Sequence, residues 1–131
     1  MRNYPASVIG ETMKKPKILI CDDEEGVRES LSLILERDYS AVFARDGNEA
    51  LRSLKKDGDI KVILLDIKMP KSNGLEVLKQ IKQQHPEKAV IMITGYQATE
   101  MASEAIKSGA LDYIIKPINS ASVLASIRKA L

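Results

Sequence analysis

The sequence predicts an α/β domain with a doubly wound, five-stranded parallel sheet. Five short apolar runs alternate with segments of helical period, and the runs are apolar throughout. Continuous runs of this kind mark strands buried on both faces by crossover helices. Right-handed crossovers then favour an open sheet with helices on either side. A third observation concerns placement. Asp22, Asp23, Asp66, Thr94 and Lys116 each stand at or just after the end of a run. In open parallel sheets, ligands bind in the crevice outside the carboxyl ends of the strands.

The first run, Ile18-Leu-Ile-Cys21, is a strand, and Val27, Leu31, Ile34 and Leu35 follow at i, i+4, i+7 and i+8, one face of a helix. Ala41–Ala44 is a short second strand. Asp46-Gly47-Asn48 turns into a second helix that points Ala50, Leu51 and Leu54 inward and stops at Asp57-Gly58. Val62-Ile-Leu-Leu65 is the third strand. A loop from Met69 to Gly74 leads into a helix carrying Leu75, Leu78 and Ile81, which Pro86 interrupts. Ala89–Ile93 is the fourth strand. Ala98, Met101, Ala102, Ala105 and Ile106 line the fourth helix, closed by Ser108-Gly109, before strand Tyr113–Ile115 and helix Ser120–Leu131.

Composition narrows the function classes. The 20 basic and 18 acidic residues are interspersed and give a net charge of +2, so no basic footprint for nucleic acid exists. A lone Cys21 excludes an internal disulfide or a Cys-based metal cage and suits a reducing cytoplasm. Inside an apolar strand it reads as a small buried hydrophobe. His85, the single histidine, lies in the polar stretch Gln83-Gln-His-Pro86 and reads as a solvated loop residue. No apolar run approaches the roughly 20 residues needed to cross a bilayer. Met1–Pro16 has only Val8-Ile9 as an apolar pair and lacks the core of a secretory signal. It reads as a flexible tail, with the domain running from Lys17 to Leu131.

The chemistry is carried by the strand ends. Where a phosphate-cradling fold would place a glycine-rich loop, this chain places Asp22-Asp23-Glu24-Glu25. Oxygen donors without His or Cys suit Mg²⁺, or Mn²⁺ in its place. With Asp66 facing the acidic pair, three bare carboxylates would repel one another and raise their pKa values. A divalent cation and Lys116 together balance their charge. A carboxylate neutralised in this way can attack phosphorus and form an aspartyl-phosphate. Glu24 and Glu25 read as first-turn acids favourable to the helix dipole, not as ligands.

Four segments together resemble the receiver domain of two-component response regulators. They are Ile18-Leu-Ile-Cys-Asp-Asp-Glu-Glu-Gly-Val-Arg-Glu-Ser-Leu31, Val62-Ile-Leu-Leu-Asp-Ile-Lys-Met-Pro70, Ile91-Met-Ile-Thr-Gly95 and Gly109-Ala-Leu-Asp-Tyr-Ile-Ile-Lys-Pro117. The resemblance covers residues 17–131. It implies a flavodoxin-like (βα)₅ fold with strand order 2-1-3-4-5, Asp66 as phosphoacceptor, and Mg²⁺ held by Asp23, Asp66 and the backbone carbonyl of Lys68, with Asp22 acting mainly through water. It further implies Thr94 as a switch hydroxyl, Lys116 as partner of a phosphoryl oxygen after a cis Lys116–Pro117 bond, and Tyr113 as an aromatic that turns inward as Thr94 moves. The phosphoryl donor would be a phosphohistidine on a sensor histidine kinase or a histidine phosphotransfer protein. The face formed by the fourth helix, fifth strand and fifth helix, including Lys107, Asp112 and Arg128, would be the output face. A phosphorylation-dependent homodimer would form there, or an output partner or C-terminal effector domain would engage it.

Departures from the family pattern are few. Lys71-Ser-Asn-Gly74 lacks the acidic residue that often precedes the glycine, a difference confined to turn geometry because Asn also suits such a turn. Lys68 and Tyr96 flank the path by which water reaches the phosphoryl group, and this bulky pair is expected to slow hydrolysis. Two other functions compete. An aspartate-nucleophile phosphatase of the dehalogenase type places an acid/base Asp two residues after the nucleophile, where this chain has Lys68. A pseudo-receiver that only binds proteins has no need of the complete acid, hydroxyl and lysine set.

Overall fold

The computed structural model describes residues 14–95 and 99–131. Residues 1–13 of the expected tail, Tyr96, and Ala98 of the expected fourth helix lie outside that range. In chain order the elements are β1 (Lys17–Cys21), α1 (Glu25–Leu35), β2 (Ser40–Ala44), α2 (Gly47–Lys56) and β3 (Ile60–Asp66). There follow β4 (Lys68–Met69), β5 (Ser72–Asn73), α3 (Gly74–Gln84), β6 (Ala89–Thr94), α4 (Thr99–Lys107), β7 (Asp112–Ile115) and α5 (Ser120–Ala130). The main sheet has the order β2-β1-β3-β6-β7 with every pairing parallel. With the two-residue strands set aside, this is the 2-1-3-4-5 order that the resemblance implied.

The core has two layers, one on each face of the sheet. Leu19, Ile63 and Leu65 pack against Leu54 of α2, Leu78 and Ile81 of α3 and Ala105 of α4. On the opposite face Ile18, Ile20, Val62, Leu64, Ile91 and Ile93 meet Leu31 and Leu35 of α1 and Val123 and Ile127 of α5. Successive residues of a strand point to opposite faces, so a strand serving both layers must be apolar at every position. That explains the continuous runs of β1, β3 and β6.

The edge strands depart from this expectation. Phe43 on β2 is 46% exposed, and Tyr113 and Ile115 on β7 are each 40% exposed. Helices cover an edge strand only partly, so apolar residues there do not guarantee burial. Ile106, expected to face inward, is 43% exposed. Alpha4 packs through the small Ala102 and Ala105, and Ile106 follows Ala105 by one residue, roughly 100° round the helix. Leu51, Leu75 and Met101 are only partly buried, whereas Val77 is fully in the core.

Other loops carry more structure than expected. The Met69–Gly74 loop contains an antiparallel bridge, with Lys68 opposite Asn73 and Met69 opposite Ser72. Asn73 caps α3 by accepting from the Leu75 N–H at 2.9 Å. Gly74 lies against the end of β3: a Cβ there would fall 2.4 Å from the Asp66 carbonyl oxygen and 2.5 Å from the Ile67 Cα. Gly109 ends α4 at φ +107°, a conformation that favours glycine. His85 is half-buried and caps α3, its N–H donating to the Ile81 carbonyl at 2.7 Å.

Candidate metal centre

Strand ends bring the charged residues together. Asp22 continues β1 by one position, its N–H donating to the Ala44 carbonyl at 3.1 Å, and its side chain is buried. Asp66 is the last residue of β3 and is also buried, whereas Asp23 is exposed. Carboxylate oxygens of Asp22, Asp23 and Asp66 all lie within 4.8 Å of one another. Lys116 follows β7 directly and extends its ammonium to 3.4 Å from Asp22 Oδ2 and 3.3 Å from Asp66 Oδ2. The remaining oxygens are engaged by backbone: Asp22 Oδ1 accepts from the Glu24 N–H at 2.9 Å, and Asp66 Oδ1 from the Lys68 N–H at 3.2 Å.

Thr94 ends β6 beside this group and is fully buried. Its hydroxyl donates to the Gly95 carbonyl at 3.2 Å, and among the described residues it makes no bond to Asp66. The main chain links it to the site, since the Lys116 N–H donates to the Thr94 carbonyl at 2.7 Å. Tyr113 pairs with Met92 across the sheet, and its side chain is exposed. The Lys116–Pro117 bond is cis.

Burial pushes the Asp66 carboxyl up to about 6, and the neighbouring charge of Asp22 adds to the rise. Lys116 and the Lys68 N–H pull it back without restoring the ordinary value. For Lys116, burial favours the neutral amine, but Asp66 and Asp22 outweigh it and hold the group above its usual range. The Cys21 thiol is pushed up to about 12 by burial and by the acids around it, so no thiolate competes as a ligand. One ammonium thus faces three carboxylates, and all the donor atoms are oxygen. This set fits a hard divalent cation of the Mg²⁺ type.

Two contributors escaped the sequence reading. Glu24 has no capping bond at the start of α1, and its Oε1 lies 3.6 Å from the Lys116 ammonium. Arg28 donates from Nη1 to the backbone carbonyl of Asp22 at 2.8 Å. Its signal was present: Arg28 stands four residues after Glu24, and helix side chains lean toward the N-terminus, which lays this one over the acidic loop.

The model of the response regulator receiver domain family matches residues 18–128. The transcriptional regulatory protein FixJ of Azorhizobium caulinodans is 36% identical over 112 residues, which cover 86% of this chain and 53% of FixJ. The transcriptional regulatory protein ZraR of Escherichia coli is 35% identical over 115 residues, covering 87% of this chain and 26% of ZraR. The chain therefore spans about half the length of one curated relative and about a quarter of the other. Among solved structures, the receiver domain of NtrX from Brucella abortus aligns with a TM-score of 0.83 at 35% identity, covering 87% of this chain and 97% of that domain. The sheet order, the acids at its carboxyl edge and these matches agree, and the chain belongs to the receiver domain family of two-component response regulators.

Proposed function

We propose that the domain, running from Lys17 to Leu131, is a cytoplasmic phosphorylation-driven switch in which Asp66 accepts a phosphoryl group from a phosphohistidine. The donor is a sensor histidine kinase or a histidine phosphotransfer protein. An oxygen of Asp66 forms a bond to phosphorus as the P–N bond breaks, and the electron pair returns to the imidazole. Asp22, Asp23, Asp66 and the Lys68 carbonyl would hold Mg²⁺, which supplies positive charge to the oxygens of the transferring group.

The observation that carries this reading is the Lys116 ammonium lying between Asp22 and Asp66. A phosphoryl group on Asp66 adds negative charge there, and Lys116 leaves the carboxylates to meet it. Thr94, whose hydroxyl is spent on a neighbouring carbonyl, is the second group to turn toward the phosphoryl oxygens. Tyr113, outward on β7, would turn inward as Thr94 leaves its present position. The change is then delivered to the α4–β7–α5 face, with Lys107, Asp112 and Arg128, and so to an output partner, an effector domain or a second copy.

NMR of the protein with Mg²⁺ and beryllofluoride tests this. Amide shifts are expected at Asp66, Thr94 and Lys116 and along β7 to Tyr113, and none of this size in Asp66→Asn. A wild-type spectrum unmoved at Thr94 and Tyr113 would refute the switch.

A further inference from the structure

We infer that Arg28 is a positioning residue for the metal centre, holding the peptide between Asp22 and Asp23 so that the Asp23 carboxylate is aimed at the cation. This rests on the metal reading above.

The sheet runs out at this point. Asp22 makes a last bond through its N–H to the Ala44 carbonyl, but its own carbonyl lies beyond the ladder. Alpha1 begins without a side-chain cap at Glu24, and the one local restraint on that stretch is the Glu24 N–H donating to Asp22 Oδ1 at 2.9 Å, which leaves the Asp22 carbonyl unengaged. Arg28, half-buried one turn into α1, supplies the missing partner with Nη1 at 2.8 Å from the Asp22 carbonyl oxygen. Asp22 is then held through both backbone groups and both carboxylate oxygens. Among the described residues Asp23 has no such set of restraints, and it is exposed. Its direction follows from the peptide plane that precedes it, which the Glu24 N–H bond spans and which Arg28 holds directly at its carbonyl.

A cation bound to a carbonyl has a second merit. It steadies the acidic loop without occupying a carboxylate oxygen that a metal would need. A planar guanidinium does this better than an ammonium, whose single nitrogen is more strongly hydrated and less directional. The positive charge of Arg28 by itself opposes an incoming cation. Electrostatics and positioning therefore predict opposite signs when Arg28 is removed: tighter binding if charge dominates, weaker binding if geometry does. Residues that orient metal ligands from behind typically change affinity by about tenfold or more, whereas repulsion from a partly solvated cation is screened.

The test is Mn²⁺ affinity by electron paramagnetic resonance in the wild type, Arg28→Met and Arg28→Lys. We expect Arg28→Met to bind about tenfold more weakly, with Arg28→Lys intermediate and the metal-free melting temperatures within a few degrees of one another. In Arg28→Met, slow phosphorylation by acetyl phosphate should recover at saturating Mg²⁺, because Arg28 does not touch the phosphoryl group. Equal or tighter Mn²⁺ binding in Arg28→Met overturns the inference, as does a rate deficit that saturating Mg²⁺ leaves in place. If Arg28→Met does not fold, wild-type affinity in Arg28→Lys overturns it instead. A wild type that binds no Mn²⁺ at all overturns the metal reading itself.

Discussion

At Asp66 two opposing effects meet. Burial and Asp22 favour the protonated acid, while Lys116 and the Lys68 N–H favour the carboxylate, and the first pair prevails with a value of about 6. An unfolded aspartate titrates near 3.9, so at neutral pH the charged form works against the fold. The sign follows: without metal, the contribution of Asp66 becomes more stabilising as pH falls from about 6 toward 4, the reverse of an ordinary paired carboxylate. Asp66→Asn should therefore be more stable than the wild type in urea unfolding with EDTA at pH 7.5, by on the order of 1–3 kcal/mol. The advantage should shrink by pH 5, and no difference at pH 7.5 would contradict the account. The residue types at this site were legible in the sequence because aspartates at strand ends have little structural reason to be there. Arg28 was less so, because an arginine on an amphipathic helix reads first as a solvated side chain.

The elements hold the site through close approaches that only some residues allow. The start of α3 crosses the end of β3 at Gly74, whose N–H donates to the Ile67 carbonyl at 2.8 Å. A methyl group at Gly74 would meet backbone atoms of Asp66 and Ile67, which cannot swing aside as a flexible side chain could. Gly74→Ala should destabilise by about 2–4 kcal/mol in chemical denaturation and slow phosphorylation by shifting Asp66. Normal stability in that variant would contradict this packing. At the other end of the sheet edge, Asp112 joins β7 to α5. Burial raises its pKa, but the Ser126 hydroxyl at 2.7 Å, the Lys129 ammonium at 2.9 Å and the Tyr113 N–H at 2.8 Å together bring it below the usual value. That clasp is fully present above the unfolded pKa and is lost as pH falls through the lower folded one. Helix and strand order was legible from periodicity. Which apolar residues of β2, β7 and α4 stay exposed was not, because coverage at a sheet edge depends on how far each helix reaches.

Across the whole molecule the sheet sets buried central strands against partly exposed edge strands. The buried strands β1, β3 and β6 are fixed between helices on both sides, and they present Asp22, Asp66 and Thr94 at their carboxyl ends. Edge strand β7 is only partly covered, and Tyr113 and Ile115 are each 40% exposed. The opposite rim carries a buried charge that no motif announced: the Lys88 ammonium donates to the carbonyls of Gly58 at 2.9 Å and Ile60 at 2.5 Å. In the sequence Lys88 was one lysine among many, because burial of a charge depends on carbonyls that other segments bring. The acids were legible for the converse reason, since a parallel sheet delivers every strand end to the same side. Whether Asp66 takes a phosphoryl group is decided by intact-mass spectrometry after incubation with acetyl phosphate and Mg²⁺. The expected result is a gain of one phosphoryl group, dependent on Mg²⁺ and absent in Asp66→Asn. An unmodified wild type, or the same gain in Asp66→Asn, would contradict it.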